Sequence, residues 1–471
     1  MQVLDKKLNQ KAWAGGVMEP AKEFPLTQLS IISGKIPAGL RGTLYRNGPG
    51  RLERGAVRVG HWFDGDGAIL AVNFTDAGAS AVYRYVQTTG YQQESTAGKF
   101  LYGNYGMTAP GPVWNQWRKP TKNAANTSVL ALPDKLLALW EGGKPHALDL
   151  ETLETWGEDD LGGLTTGLPY SAHFKQDPKT KEIFNFGVSV GLNGKLNVYK
   201  SDSTGKIIQQ AAYPIDGLPL VHDFVLAGQY LVFFIPPVRL DMLPVLLGIS
   251  NYSDAMKWRP ELGTQILVID RETLSIVSRG EAEPWYQWHF ANGYVDASGA
   301  VIVDMARYED FQTNQFLKEI ATGRTQTPAK SSFSRVIFNP QTAKVTGIEK
   351  ILDRQCEFPI VPAQYVGQAS RYTYMSGYRQ GTDISQEMLN TIARFDHKTD
   401  TLTEAYLGEN RYPCEPIPVE DWVLTVVYDG NSHSSEVWVY DSDRLDQAPV
   451  CQLQLPSVVP HSFHGTWKPM K

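Results

Sequence analysis

The chain has 471 residues, 42% of them hydrophobic, with 12 Trp, 22 Tyr and 18 Phe, which is ample apolar area for a large core. Its net charge is −6 and it has no basic run, so nucleic acid is excluded as a partner on charge grounds. Three cysteines, Cys356, Cys414 and Cys451, form no CxxC pair and leave an odd number, so a reducing compartment is expected rather than a disulfide framework.

Residues 1–20 scatter Lys, Asp and Gln through the N-terminus and lack the apolar core of a signal peptide. No run approaches the roughly 18–20 apolar residues that span a bilayer; the longest, residues 230–238, is interrupted by Pro236 and Pro237. The expectation is a cytoplasmic protein, peripheral on a membrane if it touches one.

From the N-terminus onwards one pattern recurs: a run of β-branched and aromatic residues, an Asp or Asn, a polar turn and a second such run. It is centred on Asp76, Asp149, Asp202, Asp270, Asn339, Asp396 and Asp441, between 45 and 73 positions apart. Each reads as an antiparallel hairpin with an Asx-type turn. Seven hairpins at this loose period predict an all-β, seven-bladed propeller in one domain over residues 1–471, with loops and short helices capping one face. The fair helical candidates are residues 311–320 and 384–392.

Nine histidines carry the chemistry. His61 opens a tight turn, and His397 and His433 sit in polar hairpins, so these three read as structural or solvated. His146 and His461 are undecided. His173, His222, His289 and His464 abut aromatic or apolar residues and avoid the seven turns; their spacings of 49, 67 and 175 residues approximate one, one and three blade repeats. Equivalent positions on innermost strands converge on a propeller axis, so four imidazoles would meet there. Imidazole suits Fe, Zn, Cu or Ni, and carboxylates are expected behind the rings. Glu141, Glu357 and Glu415, in apolar or Pro-rich settings, are the candidates.

The chain resembles the carotenoid cleavage oxygenases, most closely the bacterial apocarotenoid oxygenases. The resemblance rests on Gly42-Thr-Leu-Tyr-Arg-Asn-Gly-Pro-Gly50, His61-Trp-Phe-Asp-Gly-Asp-Gly67, Ala125-Asn-Thr-Ser128, Leu137-Ala-Leu-Trp-Glu-Gly-Gly143, Cys356-Glu-Phe-Pro359 and Phe463-His-Gly-Thr-Trp467. It implies Fe(II) held by His173, His222, His289 and His464, with Glu141, Glu357 and Glu415 hydrogen-bonded to ligand rings. It also implies Thr127 beside a vacant coordination position and Trp140 on the substrate tunnel. Two positions depart from the family pattern, Phe174 where Pro is usual and Cys414 where Gly is usual; neither removes a ligand.

The implied activity is O2-dependent cleavage of a conjugated C=C bond into two carbonyl products, at the 15,15′ bond of an apocarotenoid to give retinal. A stilbene-cleaving oxygenase of the same fold and a non-enzymatic binding scaffold are the alternatives; a scaffold has no reason to bury so many polar groups. Substrates of this kind live in lipid, and Leu240, Leu243, Leu246 and Leu247 are expected to form an apolar lip that meets a membrane at the tunnel mouth.

Overall fold

The computed structural model describes residues 11–190 and 194–470. The reading of the N-terminus as free of a signal peptide therefore falls partly on residues 1–10, outside the described residues.

Seven antiparallel sheets form a β-propeller ring. Blade 1 takes Gly42–Arg51, Asp66–Thr75 and Gly78–Tyr85, with the C-terminal strand Gly465–Pro469 innermost and Phe24–Gln28 outermost. The innermost strands of blades 2 to 6 are Ser128–Ala131, Lys175–Gln176, Val225–Ala227, Tyr286–Val295 and Cys356–Ile360. In blade 7, Arg411–Pro413 and Ile417–Val419 share that place beside Trp422–Asp429, and the N-terminal strand Ser30–Gly34 is outermost. An N-terminal and a C-terminal strand thus close the ring, which is why residues 465–469 are structured.

All seven Asx hairpins join the third and fourth strands of a blade counted from the axis. In six of them the named side chain accepts a backbone N–H two residues on, as Asp149 does from Glu151 at 2.9 Å and Asp270 from Glu272 at 3.1 Å. The first differs: Thr75 Oγ1 takes the Ala77 N–H, and Asp76 pairs with Arg41.

The core is divided among the seams between blades, because alternate residues of a strand face opposite sides. In Tyr230–Ile235, Leu231 and Phe233 face blade 3 while Val232 and Phe234 face blade 5. This strand is buried throughout, so this part of the longest apolar run belongs to the core; the expected lip begins after it. A separate cluster under the cap joins Trp13, Trp62, Trp288, Phe316 and Phe463. Three insertions hold the cap together: Tyr105 donates to Asn314 Oδ1 at 2.9 Å, and Asn314 Nδ2 donates to Ser253 Oγ at 2.9 Å.

The helix Gln312–Ile320 forms as expected. Residues 384–392 do not form a helix; they make one turn on Asp383 and then enter the blade 6 strand Thr391–Asp396. Long-range contacts override the local pattern there. The Gln386 carbonyl accepts from Trp13 Nε1 at 2.9 Å, Met388 packs into the cap cluster, and Ile392 is fully buried between blades 6 and 7.

Candidate metal centre

His173 lies just before the innermost strand of blade 3 and His222 just before that of blade 4; His289 lies within that of blade 5, and His464 precedes Gly465 in blade 1. The spacing of three repeats between His289 and His464 spans blades 6 and 7 and the return to blade 1. Glu357 sits on the innermost strand of blade 6, Glu415 between the two short inner strands of blade 7, and Glu141 just after the second strand of blade 2. Thr127, directly before blade 2's innermost strand, stands where other blades place a histidine.

The four rings converge. His289 Nε2 is 3.3 Å from His222 Nε2 and 3.1 Å from His464 Nε2, and ligand atoms of His173, His289 and His464 lie within 4.8 Å of one another. On their far edges, His289 Nδ1–H donates to Glu357 at 2.5 Å and His464 Nδ1–H to Glu415 at 2.9 Å. Glu141 Oε1 touches His222 Nδ1 and is 3.8 Å from His173 Nε2.

A proton held on Nδ1 by a carboxylate leaves the lone pair on Nε2. Lone pairs about 3 Å apart repel and bring no hydrogen bond, yet His173 Nε2 is also buried with no hydrogen-bond partner. A cation among these nitrogens resolves both problems, and the donor set, neutral imidazole with anionic support, fits a divalent transition metal. Burial and the neighbouring imidazoles push His173 and His289 well below the ordinary histidine range, so both rings are neutral and able to ligate.

The carboxylates are themselves held. Glu357 accepts the Tyr308 hydroxyl and the Phe358 N–H, each at 2.8 Å; burial pushes its carboxyl up to about 7 against these donors. Burial also acts on Glu415, but His464, Arg46 and the Gly465 N–H together outweigh it and hold that carboxyl below its usual range. Phe358 has φ of 52°, a left-handed conformation that costs a bulky residue about 1–3 kcal/mol. Its ring stacks on His289 with centroids 5.1 Å apart.

A cavity of about 540 Å³ opens on the cap side of the four histidines. Trp140 and Thr127 line it, with Phe63, Tyr105, Trp288, Tyr308 and Phe463, which the sequence reading had not assigned to the tunnel. Two signals for them were present: Trp288 and Phe463 directly precede ligand candidates, and Phe63 lies in the His61 motif. Phe63 packs edge-on against both Trp288 and Phe463 at 5.5 Å. Gly142 leaves room for Trp140 in this position, since a Cβ there would lie 2.7 Å from the indole. Thr127 Oγ1 donates to Asn126 at 3.0 Å, and its carbonyl takes the His464 N–H at 3.3 Å.

The other histidines stay outside the centre. His61 is buried and accepts the Phe63 N–H at 3.1 Å, while His397 bridges Arg335 and Thr373. His433 is exposed and contacts Tyr428, and His146 is buried in the third strand of blade 2. His461 points away from His464: its Nε2–H donates to the Trp13 carbonyl at 2.9 Å, between the rings of Tyr412 and Tyr428. Burial lowers its pKa from 6.5 to about 4. Such a base is protonated first in the unfolded chain, so its contribution is complete above about pH 6.5 and lost as the pH falls towards 4. His461→Gln should therefore flatten the acid limb of the stability curve by about 3 kcal/mol at most; denaturant midpoints between pH 7 and 4 check this, and an unchanged slope refutes it.

The chain matches the family model described as retinal pigment epithelial membrane protein over residues 18–469. It is 31% identical to the apocarotenoid-15,15′-oxygenase of Synechocystis sp., covering 97% of this chain and 96% of that one. It is 28% identical to the resveratrol cleavage oxygenase 1 of Aspergillus fumigatus, covering 96% and 94%. The crystal structure of the cobalt-substituted Synechocystis oxygenase superposes with a TM-score of 0.88 at 30% identity, covering 98% of each chain. This protein belongs to the carotenoid cleavage oxygenases, a family of non-haem iron enzymes.

Proposed function

We propose that the protein uses Fe(II) and O2 to cleave one conjugated C=C bond of an apocarotenoid, the 15,15′ bond, giving retinal and a second carbonyl fragment. The iron would be held by His173, His222, His289 and His464, with Glu141, Glu357 and Glu415 keeping the lone pairs of the coordinating rings directed inward. When bound, it supplies the activation of dioxygen, chemistry that no side chain of the cavity offers a conjugated C=C bond, which carries no acidic proton and no polar group where it is to be cleaved. Both oxygen atoms end in products, one in each new C=O.

The cavity's own residues choose the substrate and place it. Phe63, Trp140, Trp288, Phe358 and Phe463 offer flat apolar faces on which a conjugated chain lies, and they exclude water around the centre. Thr127 narrows the approach beside the histidines.

The observation that favours a polyene over a phenolic stilbene is that three tyrosine hydroxyls on the cavity wall already donate to protein acceptors. Tyr105 donates to Asn314 at 2.9 Å, Tyr308 to Glu357 at 2.8 Å and Tyr378 to the Glu387 carbonyl at 3.3 Å. A phenol oxygen entering here would lose its water without gaining these hydroxyls as donors, at a cost of about 1–3 kcal/mol. Incubation with apocarotenals, full-length carotenoids and resveratrol, with the aldehydes identified by mass, tests the reading. Retinal from apocarotenals is expected; aldehydes from resveratrol alone would overturn it.

We also place the enzyme in the cytoplasm, docked on a membrane through the lip. Among the described residues no helix is long and apolar enough to cross a bilayer. Leu243, Leu246 and Leu247 are nevertheless 64%, 53% and 49% exposed, and Ile249, Trp114 and Trp117 extend the same patch. The Trp117 indole donates to the Leu246 carbonyl, joining the two segments. Leu240 is half-buried, and Arg239 turns inward to the Pro236 and Val238 carbonyls, so Lys257 and Arg259 supply the basic flank. Wild type should float with phosphatidylcholine vesicles containing anionic lipid, and a Leu243→Asp, Leu246→Asp variant should not; equal flotation, or none by either, refutes docking.

A further inference from the structure

One buried carboxylate near the metal centre touches none of the histidine rings, yet it connects three of the segments that carry them. Asp223, 2% exposed, follows His222. Its Oδ1 accepts the Phe224 N–H at 2.8 Å and lies 2.9 Å from Lys175 Nζ; its Oδ2 accepts the Phe290 N–H at 3.1 Å. Lys175 is two residues beyond His173, and Phe290 is the residue after His289. The strand Tyr286–Val295 shifts register between Gln287 and Phe290. Such a bulge redirects a side chain and frees a backbone donor from the ladder; here His289 is the redirected side chain and the Phe290 N–H the donor that Asp223 receives.

We propose that Asp223 is a positioning residue that sets His173, His222 and His289 at metal-binding distance by tying the starts of the innermost strands of blades 3 and 4 and the bulge in that of blade 5 to one carboxylate. The inference rests on the four-histidine metal reading. An ammonium and two backbone amides from three blades share two oxygens, so displacing any one segment breaks a charge-assisted contact to a buried carboxylate. Glu141, Glu357 and Glu415 each steer a ring from its edge; Asp223 instead fixes the backbone from which three rings project.

Cobalt(II) is the probe, read by chelator competition and by its visible d–d bands, beside the thermal midpoint of the metal-free protein. Asp223→Asn keeps the size but loses the charge facing Lys175 and one acceptor. It should weaken cobalt binding roughly 10- to 100-fold, as loss of outer partners of a metal site does, and should shift the bands. The control is Asp177→Asn, which alters a buried carboxylate of blade 3 tied to Arg271 and its own turn; it should move only the thermal midpoint. Wild-type affinity and spectrum in Asp223→Asn, or an equal cobalt loss in Asp177→Asn, would overturn the proposal. Should Asp223→Asn not fold, Lys175→Met decides by the same criterion, weaker binding supporting and unchanged binding refuting. A wild-type protein that takes up no cobalt would instead refute the four-histidine reading.

Discussion

Replacing His464 by alanine should leave a folded propeller that retains no iron and forms no product. The ring is one of four converging donors, and its neighbour His289 Nε2 is 3.1 Å away. Removing even an outer hydrogen-bond partner of a metal ligand costs roughly 10- to 100-fold in affinity, so losing a donor itself should cost more than about 100-fold. Glu415, which loses the Nδ1–H donor, keeps the Gly465 N–H at 2.8 Å, so the stability cost should stay near about 1–3 kcal/mol. Metal analysis of the purified variant, with product formation and a thermal melt, checks all three; a variant with wild-type iron and activity refutes the assignment. The substitution is cleaner than truncation after Ser462, because truncation also deletes Gly465–Pro469, the innermost strand of blade 1, and would damage the fold and the centre together.

Arg46→Met should be the more damaging change for the fold. Arg46 is 1% exposed, and its guanidinium reaches the final stretch through two donors and blade 7 through a third: Nε to Ser462 Oγ at 2.9 Å, Nη2 to the Phe463 carbonyl at 2.8 Å and Nη1 to the Glu415 carbonyl at 2.8 Å. Nη1 also stands 3.9 Å from the Glu415 carboxylate. Methionine fills the space but leaves a buried carboxylate without its cation and two carbonyls without donors, a loss of about 3–5 kcal/mol. Arg46→Lys should recover only part of it, because a single ammonium cannot reproduce the planar fork. Denaturant unfolding of the metal-free proteins measures the difference, and a loss below about 1 kcal/mol for Arg46→Met would show that the fork is dispensable.

The hairpins could be read from the chain because their cause is local. An Asp or Asn that accepts a backbone N–H two residues later, between runs of alternating residues, needs no distant partner. The helix at residues 384–392 misled for the converse reason: its apolar spacing satisfied the helical period, but Trp13 claims the Gln386 carbonyl and a blade seam claims Ile392. Residues 230–235 likewise read only as part of the longest apolar run, and it is blades 3 and 5 on either side that make them core.

His461 and His464 show where the boundary lies. Three residues apart among the same neighbours, they cannot be told apart by composition; the motif around His464 separated them, and the structure supplies the reason. One ring turns to the Trp13 carbonyl and the other to Glu415, directions set by an N-terminal segment and a seventh blade far away in sequence. The sequence by itself determined the architecture and the donor types, since strand period, turn chemistry and the identity of a ligand atom are properties of short segments. Only the tertiary structure decided which nitrogens meet, how Asp223 and Arg46 tie separate blades together, and that the ring closes through both ends. Those depend on contacts between residues hundreds of positions apart, whose free energy exists only once the blades have packed.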